Sequence, residues 1–138
     1  MSADRLLLDT CAVIWLMTGV ELQNDAVSLI DRAAQSDGVL VSPVTAWEIA
    51  LLSRKGKIAT TMSAIEWYQR VVSLSGIQEL PLNAAIMTAS VELPGKLHKD
   101  PADRLLIASA RSNDLTLVTR DTAILDYAEM GFVKASAC

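Results

Sequence analysis

The 138-residue sequence is poor in the residues that build disulfide frameworks and structural zinc sites: it has two cysteines and one histidine. Cys11 and Cys138 stand near opposite ends with no CxxC spacing, so neither kind of scaffold is expected. A nucleophilic Cys–His pair would have to recruit His98, and nothing in the sequence around either residue supports that use. Aromatic residues make up only 4% of the chain, and alanine and leucine dominate the apolar set, which favours helices packed on short strands over an all-β sandwich. Long apolar runs are missing as well. The stretches "LLL" and "CAVIWLM" are separated by Asp9 and Thr10, too short and too broken for a membrane span or a secretory signal, so a cytoplasmic protein is expected. Basic residues are outnumbered, 12 against 16 acids, and the net charge of −4 taken alone speaks against a polyanionic partner.

What is present points to one domain spanning residues 1–138. The chain has a common single-domain length, and 51% of it is hydrophobic, enough to bury a core. "RLLLD" reads as a short buried strand ending at Asp9, followed by "TCAVIWLMTG" as a helix or turn closed by Gly19. Asn24 is expected to cap the helix "DAVSLIDRAAQ", and "GVLVS" reads as a second buried strand. Ser42 and Pro43 form an N-cap and first-turn pair for "VTAWEIALLSRK", which stops at Gly56. Ser63 caps the next helix, "IQELPL" offers a third strand, and Asn83 caps "NAAIMTASVELPG". "DPADRLLIASARSN" is a further helix, "LTLVT" a strand, "DTAILDYAEMG" a short helix and "FVKA" a possible last strand. Strands alternating with helices imply βαβ units, and the expected fold is a three-layer α/β/α sandwich around a short parallel sheet.

In such sheets ligands bind outside the carboxyl ends of the strands. Asp9 directly follows the first strand and Asp121 comes two residues after Thr119 at the end of "LTLVT", so both should sit at that rim. Glu48 lies six residues beyond Ser42, and helical side chains lean toward the N-terminus, which aims it at the same place. Asp103 stands at the third position of the helix that Asp100 caps. Each acid also has a plainer explanation. Asp9 and Asp121 could be ordinary helix caps, Asp103 suits a helix N-terminus, and Glu48 could be an exposed helix residue, although Trp47, Ile49, Leu51 and Leu52 crowd it toward an apolar face. These explanations do not account for four acids gathering at one rim.

Clustered carboxylates repel one another unless a cation sits among them, and the hard, oxygen-seeking choice is Mg²⁺ or Mn²⁺, one or two ions. Such ions would polarise a phosphodiester and lower the pKa of a bound water for in-line attack, and they supply the positive potential that the sequence as a whole lacks. Basic clusters at Arg54, Lys55 and Lys57 and at Lys96, His98 and Lys99 read as solvated loop charges.

The stretches "LLLDTCAVIWL", "SPVTAWEIALLSRKGKI", "HKDPADRLLIASA" and "LTLVTRDTAI" resemble, in order and spacing, the PIN-domain family, and are similar to the VapC-type toxin ribonucleases of type II toxin–antitoxin pairs. The resemblance covers nearly the whole chain. It implies that Asp9, Glu48 and Asp103 bind metal, that Asp121 supports the metal directly or through water, and that Thr10 and Thr119 supply hydroxyls beside the site. It further implies Mg²⁺- or Mn²⁺-dependent cleavage of RNA such as tRNA, a homodimer and a silencing antitoxin. Trp15, Trp47, Trp67 and Tyr68 are the candidates for apolar surface left open to partners. A second reading, a receiver-like phosphoacceptor domain with Asp9 or Asp121 as acceptor, would also gather acids and Mg²⁺ at a parallel sheet edge. It gives Glu48 and Asp103 no role, and "LVTRD" offers Arg120 where such a site needs a lysine.

Overall fold

The computed structural model describes residues 5–19, 22–58 and 60–138. Its elements, in chain order, are β1 (Leu6–Leu8), α1 (Thr10–Thr18), α2 (Asn24–Ala34), β2 (Val39–Val41), α3 (Pro43–Arg54), α4 (Ala64–Val72), β3 (Ile77–Glu79), α5 (Ala84–Val91), α6 (Pro101–Asn113), β4 (Thr116–Thr119), α7 (Thr122–Glu129) and β5 (Lys134–Ala137). Among the described residues no helix is long and apolar enough to cross a membrane.

The strands form one sheet in the order β3-β2-β1-β4-β5, every neighbouring pair parallel. Parallel neighbours need crossovers, and helices on both faces bury the sheet, so its strands read as unbroken apolar runs. The pleat divides them between two cores. Leu6, Leu8, Val39, Val41 and Val118 face one way, against residues of α1, α2 and α4 together with Ile49 of α3. Leu7, Leu40 and Leu117 face the other way, against Leu106 and Ile107 of α6 and Ile124 and Tyr127 of α7, with α5 packed on α6. The result is the three-layer α/β/α sandwich expected from the sequence. The chain marches from β1 to β3 in one direction, then crosses back through α5 and α6 to place β4 beside β1. That reversal opens a crevice at the carboxyl ends of β1 and β4.

Most local signals act where the sequence puts them. The Ser42 and Ser63 hydroxyls and the Asn83 side chain accept the amide N–H groups of Val44, Glu66 and Ile86, and Gly19 ends α1 in a left-handed conformation at φ 77°. Three expectations are corrected. Asn24 is the first residue of α2 rather than its cap; Gln23 holds the cap position, its carbonyl accepting the Val27 N–H at 3.1 Å, with no side-chain bond. The last strand runs over Lys134–Ala137, two residues beyond the start of "FVKA", because Val133 is drawn into the core and the strand begins after it. Trp67 and Tyr68 are buried, at 5% and 4% exposure, on the inward face of α4, whereas Trp47 is 48% exposed.

Candidate functional site

Asp9 leaves the sheet as α1 begins. Its N–H still bonds the Val118 carbonyl at 3.0 Å, and its own carbonyl accepts the Val13 N–H, so its backbone is the start of the helix. Its side chain does not cap that helix. Oδ2 instead accepts the Thr119 hydroxyl at 2.6 Å, reaching across to the end of β4. Asp9 as a whole is only 6% exposed. Burial pushes its pKa up, the Thr119 hydroxyl opposes this, and Asp121 and Asp100 add to the rise.

Thr119 serves two strands' ends at once, because its hydroxyl oxygen also accepts the Asp121 N–H at 3.0 Å. Asp121 does cap, its Oδ1 accepting the Ile124 N–H at 3.1 Å. Glu48 comes from α3, whose start is fixed by Ser42 and Pro43. Its Oε1 accepts the Thr10 hydroxyl at 2.5 Å. Since that uses the one hydroxyl proton of Thr10, the contact between Thr10 Oγ1 and Thr45 Oγ1 at 3.0 Å is donated by Thr45. Burial raises the Glu48 pKa, with Thr10 opposing and Asp9 and Asp100 contributing.

At the mouth of α6 the two aspartates divide. Asp100 Oδ1 accepts the N–H groups of Ala102 at 2.9 Å and Asp103 at 3.2 Å, the work of an N-cap. Asp103 Oδ2 lies 3.3 Å from His98 Nε2, and its side chain is 14% exposed. Burial, then the charges of Asp100, Asp9, Asp121 and Glu48, push its pKa up to about 7. All four predicted site acids therefore line one cleft of about 440 Å³, together with Thr10, Cys11, Asp100 and Arg120. Arg120 stacks over the Trp15 ring, 3.7 Å from its centroid, and donates to the Cys138 carbonyl. Partial burial, followed by the charges of Asp9 and Glu48, raises the Cys11 thiol to about 11, so it is neutral at pH 7 and a poor nucleophile. A larger cleft of about 920 Å³ at the amino ends of β4 and β5 is lined by Arg111, Leu115, Phe132 and Lys134 and gathers no comparable set of acids. Size does not identify the site here; chemistry does.

Three carboxyls in one cleft have pKa values raised first by burial and then by one another's charge, which favours a cation among them. The donors are carboxylate and hydroxyl oxygens, the set that suits Mg²⁺ or Mn²⁺, and carboxylate oxygens of Asp103 and Asp121 lie within 4.8 Å of each other, with a His98 ring nitrogen equally near. The residues present fit a divalent cation.

The sequence model of the PIN domain matches residues 6–130. The chain belongs to the PIN-domain family. This PIN domain is 25% identical over 122 residues to Ribonuclease VapC22 of Mycobacterium tuberculosis, a match covering 88% of this chain and 91% of that one. Its fold resembles VapBC2 from Rickettsia felis, solved bound to a DNA fragment from its promoter, with TM-score 0.68 and 14% identity over 96% of this chain and 97% of that chain. It also resembles FitAcB from Neisseria gonorrhoeae, with TM-score 0.63 and 21% identity over 94% and 95%. The family does not favour the receiver-like reading.

One partner escaped the sequence reading: His98, which meets Asp103. The signal was local. His98 stands two residues before an N-cap and Asp103 three after it, so a chain that turns into the helix at Asp100 can bring the two side chains together.

Proposed function

We propose that this PIN domain, acting as one nuclease unit over residues 1–138, is a divalent-metal-dependent endoribonuclease and the toxin of a toxin–antitoxin pair. The observation that carries the proposal is the convergence of Asp9, Glu48, Asp103 and Asp121, from four separate elements, on a single cleft. Likeness to a named ribonuclease over most of both chains supports the activity, and the toxin–antitoxin complexes among the structural relatives support the biological setting.

In this reading Asp9, Glu48, Asp103 and Asp121 hold one or two Mg²⁺ or Mn²⁺ ions. Bound there, such an ion would offset phosphate charge and make a water a better nucleophile near neutral pH. The chain's own residues prepare that chemistry. Thr119 holds Asp9 and the start of α7 in one hydrogen-bonded unit, and Thr10 and Thr45 fix Glu48, so two carboxylates are oriented before any ligand arrives. Hydrolysis adds water oxygen to phosphorus, breaks the bond to the leaving oxygen and returns a proton to it. No side chain is consumed.

The substrate is RNA with single-stranded or looped segments, such as tRNA, and in this reading the exposed Lys96 and Lys99 ahead of α6 would meet its backbone. Trp47, 48% exposed, and Leu51, 38% exposed, supply apolar surface for a homodimer and for an antitoxin segment, whose arginine could silence the cleft by replacing the cation's charge. The test is incubation of antitoxin-free protein with labelled RNA. Fragments are expected with Mg²⁺ or Mn²⁺ and none in excess EDTA; full activity in EDTA would refute the proposal. Light scattering after size exclusion should give the mass of a dimer.

A further inference from the structure

The 92–100 segment joins α5 to α6 without regular structure, yet one residue of α6 holds it at two carbonyls and the end of α5 at two more. Arg104 donates from Nε to the Ser90 carbonyl at 2.8 Å and from Nη2 to the Val91 carbonyl at 3.1 Å, closing the end of α5. Its Nη1 donates to the carbonyls of Leu97 at 3.5 Å and His98 at 3.4 Å. A planar guanidinium spreads its donors in a fixed fork, so this clamp sets where the His98 backbone lies.

The imidazole is then fixed from both sides. The Asp100 N–H donates to His98 Nδ1 at 3.3 Å, and His98 Nε2 faces Asp103 Oδ2 at 3.3 Å. A ring nitrogen that accepts an N–H carries no proton, so neutral His98 keeps its proton on Nε2, the atom that faces Asp103. In that tautomer Nε2 has no lone pair to give a cation. The closeness of His98, Asp103 and Asp121 is therefore not a three-ligand site.

We infer that His98 is a positioning residue, held by Arg104 and the Asp100 amide, whose Nε2–H fixes the Asp103 carboxylate and leaves the other oxygen, Oδ1, to the cation. The inference rests on the metal-site reading above. It gives this PIN domain an imidazole that tunes the site through one of its acids rather than by coordination.

His98 is the only histidine in the chain, so in untagged protein its ring nitrogens are observed without ambiguity. Nitrogen NMR of the metal-free protein should show Nδ1 unprotonated and Nε2 protonated; the opposite tautomer overturns the inference. Mn²⁺ titrations followed by electron paramagnetic resonance should then show His98→Ala binding about tenfold more weakly or worse, with His98→Gln, whose amide can still donate, restored to within a few-fold of the parent. No imidazole nitrogen coupling should appear on bound Mn²⁺. Equal affinity for His98→Ala, failure of His98→Gln to restore it, or a nitrogen coupling from the ring would each overturn the positioning role. A parent protein that binds no Mn²⁺ would instead remove the metal-site reading beneath it.

Discussion

Replacing Asp103 by asparagine should make the metal-free protein more stable, and by an amount that depends on pH. The folded protein keeps the Asp103 proton up to about pH 7, while an unfolded carboxyl releases it near its ordinary value of 3.8. Between those values the folded state binds more protons, so this residue's contribution to stability falls as pH rises through the window. Linkage across that gap makes Asp103 cost about 4 kcal/mol at pH 8 and about 2 at pH 5, a difference of roughly 2 to 3. Solvent at the cleft mouth reduces this, leaving an expected difference of roughly 1–2 kcal/mol. For a chain of this length that is about 3–8 °C in melting temperature. Thermal melts in EDTA at pH 5 and pH 8 should show the Asp103→Asn advantage growing with pH. Saturating Mn²⁺ should reverse the order at pH 8, because the parent gains about 2.7 kcal/mol at a hundredfold excess over Kd and the variant has lost a ligand. An Asp103→Asn advantage that does not change with pH would refute the account of a crowded anionic cleft, and normal RNA cleavage by that variant would refute its place at the metal.

Asp100 should behave oppositely. Asp100→Ala loses the two amide bonds at the start of α6 and should cost about 0.5–2 kcal/mol in denaturant titrations, whereas Asp100→Ser keeps a capping oxygen, stays within roughly 1 kcal/mol and retains most cleavage. Thr119→Val removes the donor to Asp9 and the acceptor of the Asp121 N–H, so it should destabilise by about 1–3 kcal/mol and weaken Mn²⁺ binding measured by calorimetry. Cys11→Ser should leave cleavage rates intact, since the thiol is neutral at working pH, and a complete loss in folded protein would point to a different nucleophile.

The parts of the fold legible in the sequence were those with strong one-dimensional signals. β1, β2 and β4 are buried on both faces and read as apolar runs, and Ser42–Pro43, Ser63, Asn83 and Asp100 cap as their chemistry dictates. β5 was misplaced because an edge strand of "KASA" pairs on one side only and needs no apolar pattern, while the apolar Val133 before it fills the core. Asn24 looked like a cap, but Gln23 makes the turn with its backbone alone, which leaves no mark in composition. The four acids could be placed at one rim because strand ends and helix starts are local features. Which oxygen of each is held, and by what, is a matter of tertiary contact: Thr119 lies 110 residues from Asp9, and Thr10 lies 38 from Glu48. Asp9 shows the limit well, since its backbone caps a helix and its side chain does not.

The strand order has a consequence for the order of synthesis. β1 is made first, but the neighbour that completes its crevice is β4, and the last of the four acids is Asp121. Until β4 is made, the growing chain carries Asp9 and Glu48 on a sheet whose other half is missing. A ribosome producing this protein therefore meets no assembled cleft until Asp121 has emerged, and fragments released by premature termination before β4 lack both the Thr119 hydroxyl that holds Asp9 and the acid that follows it.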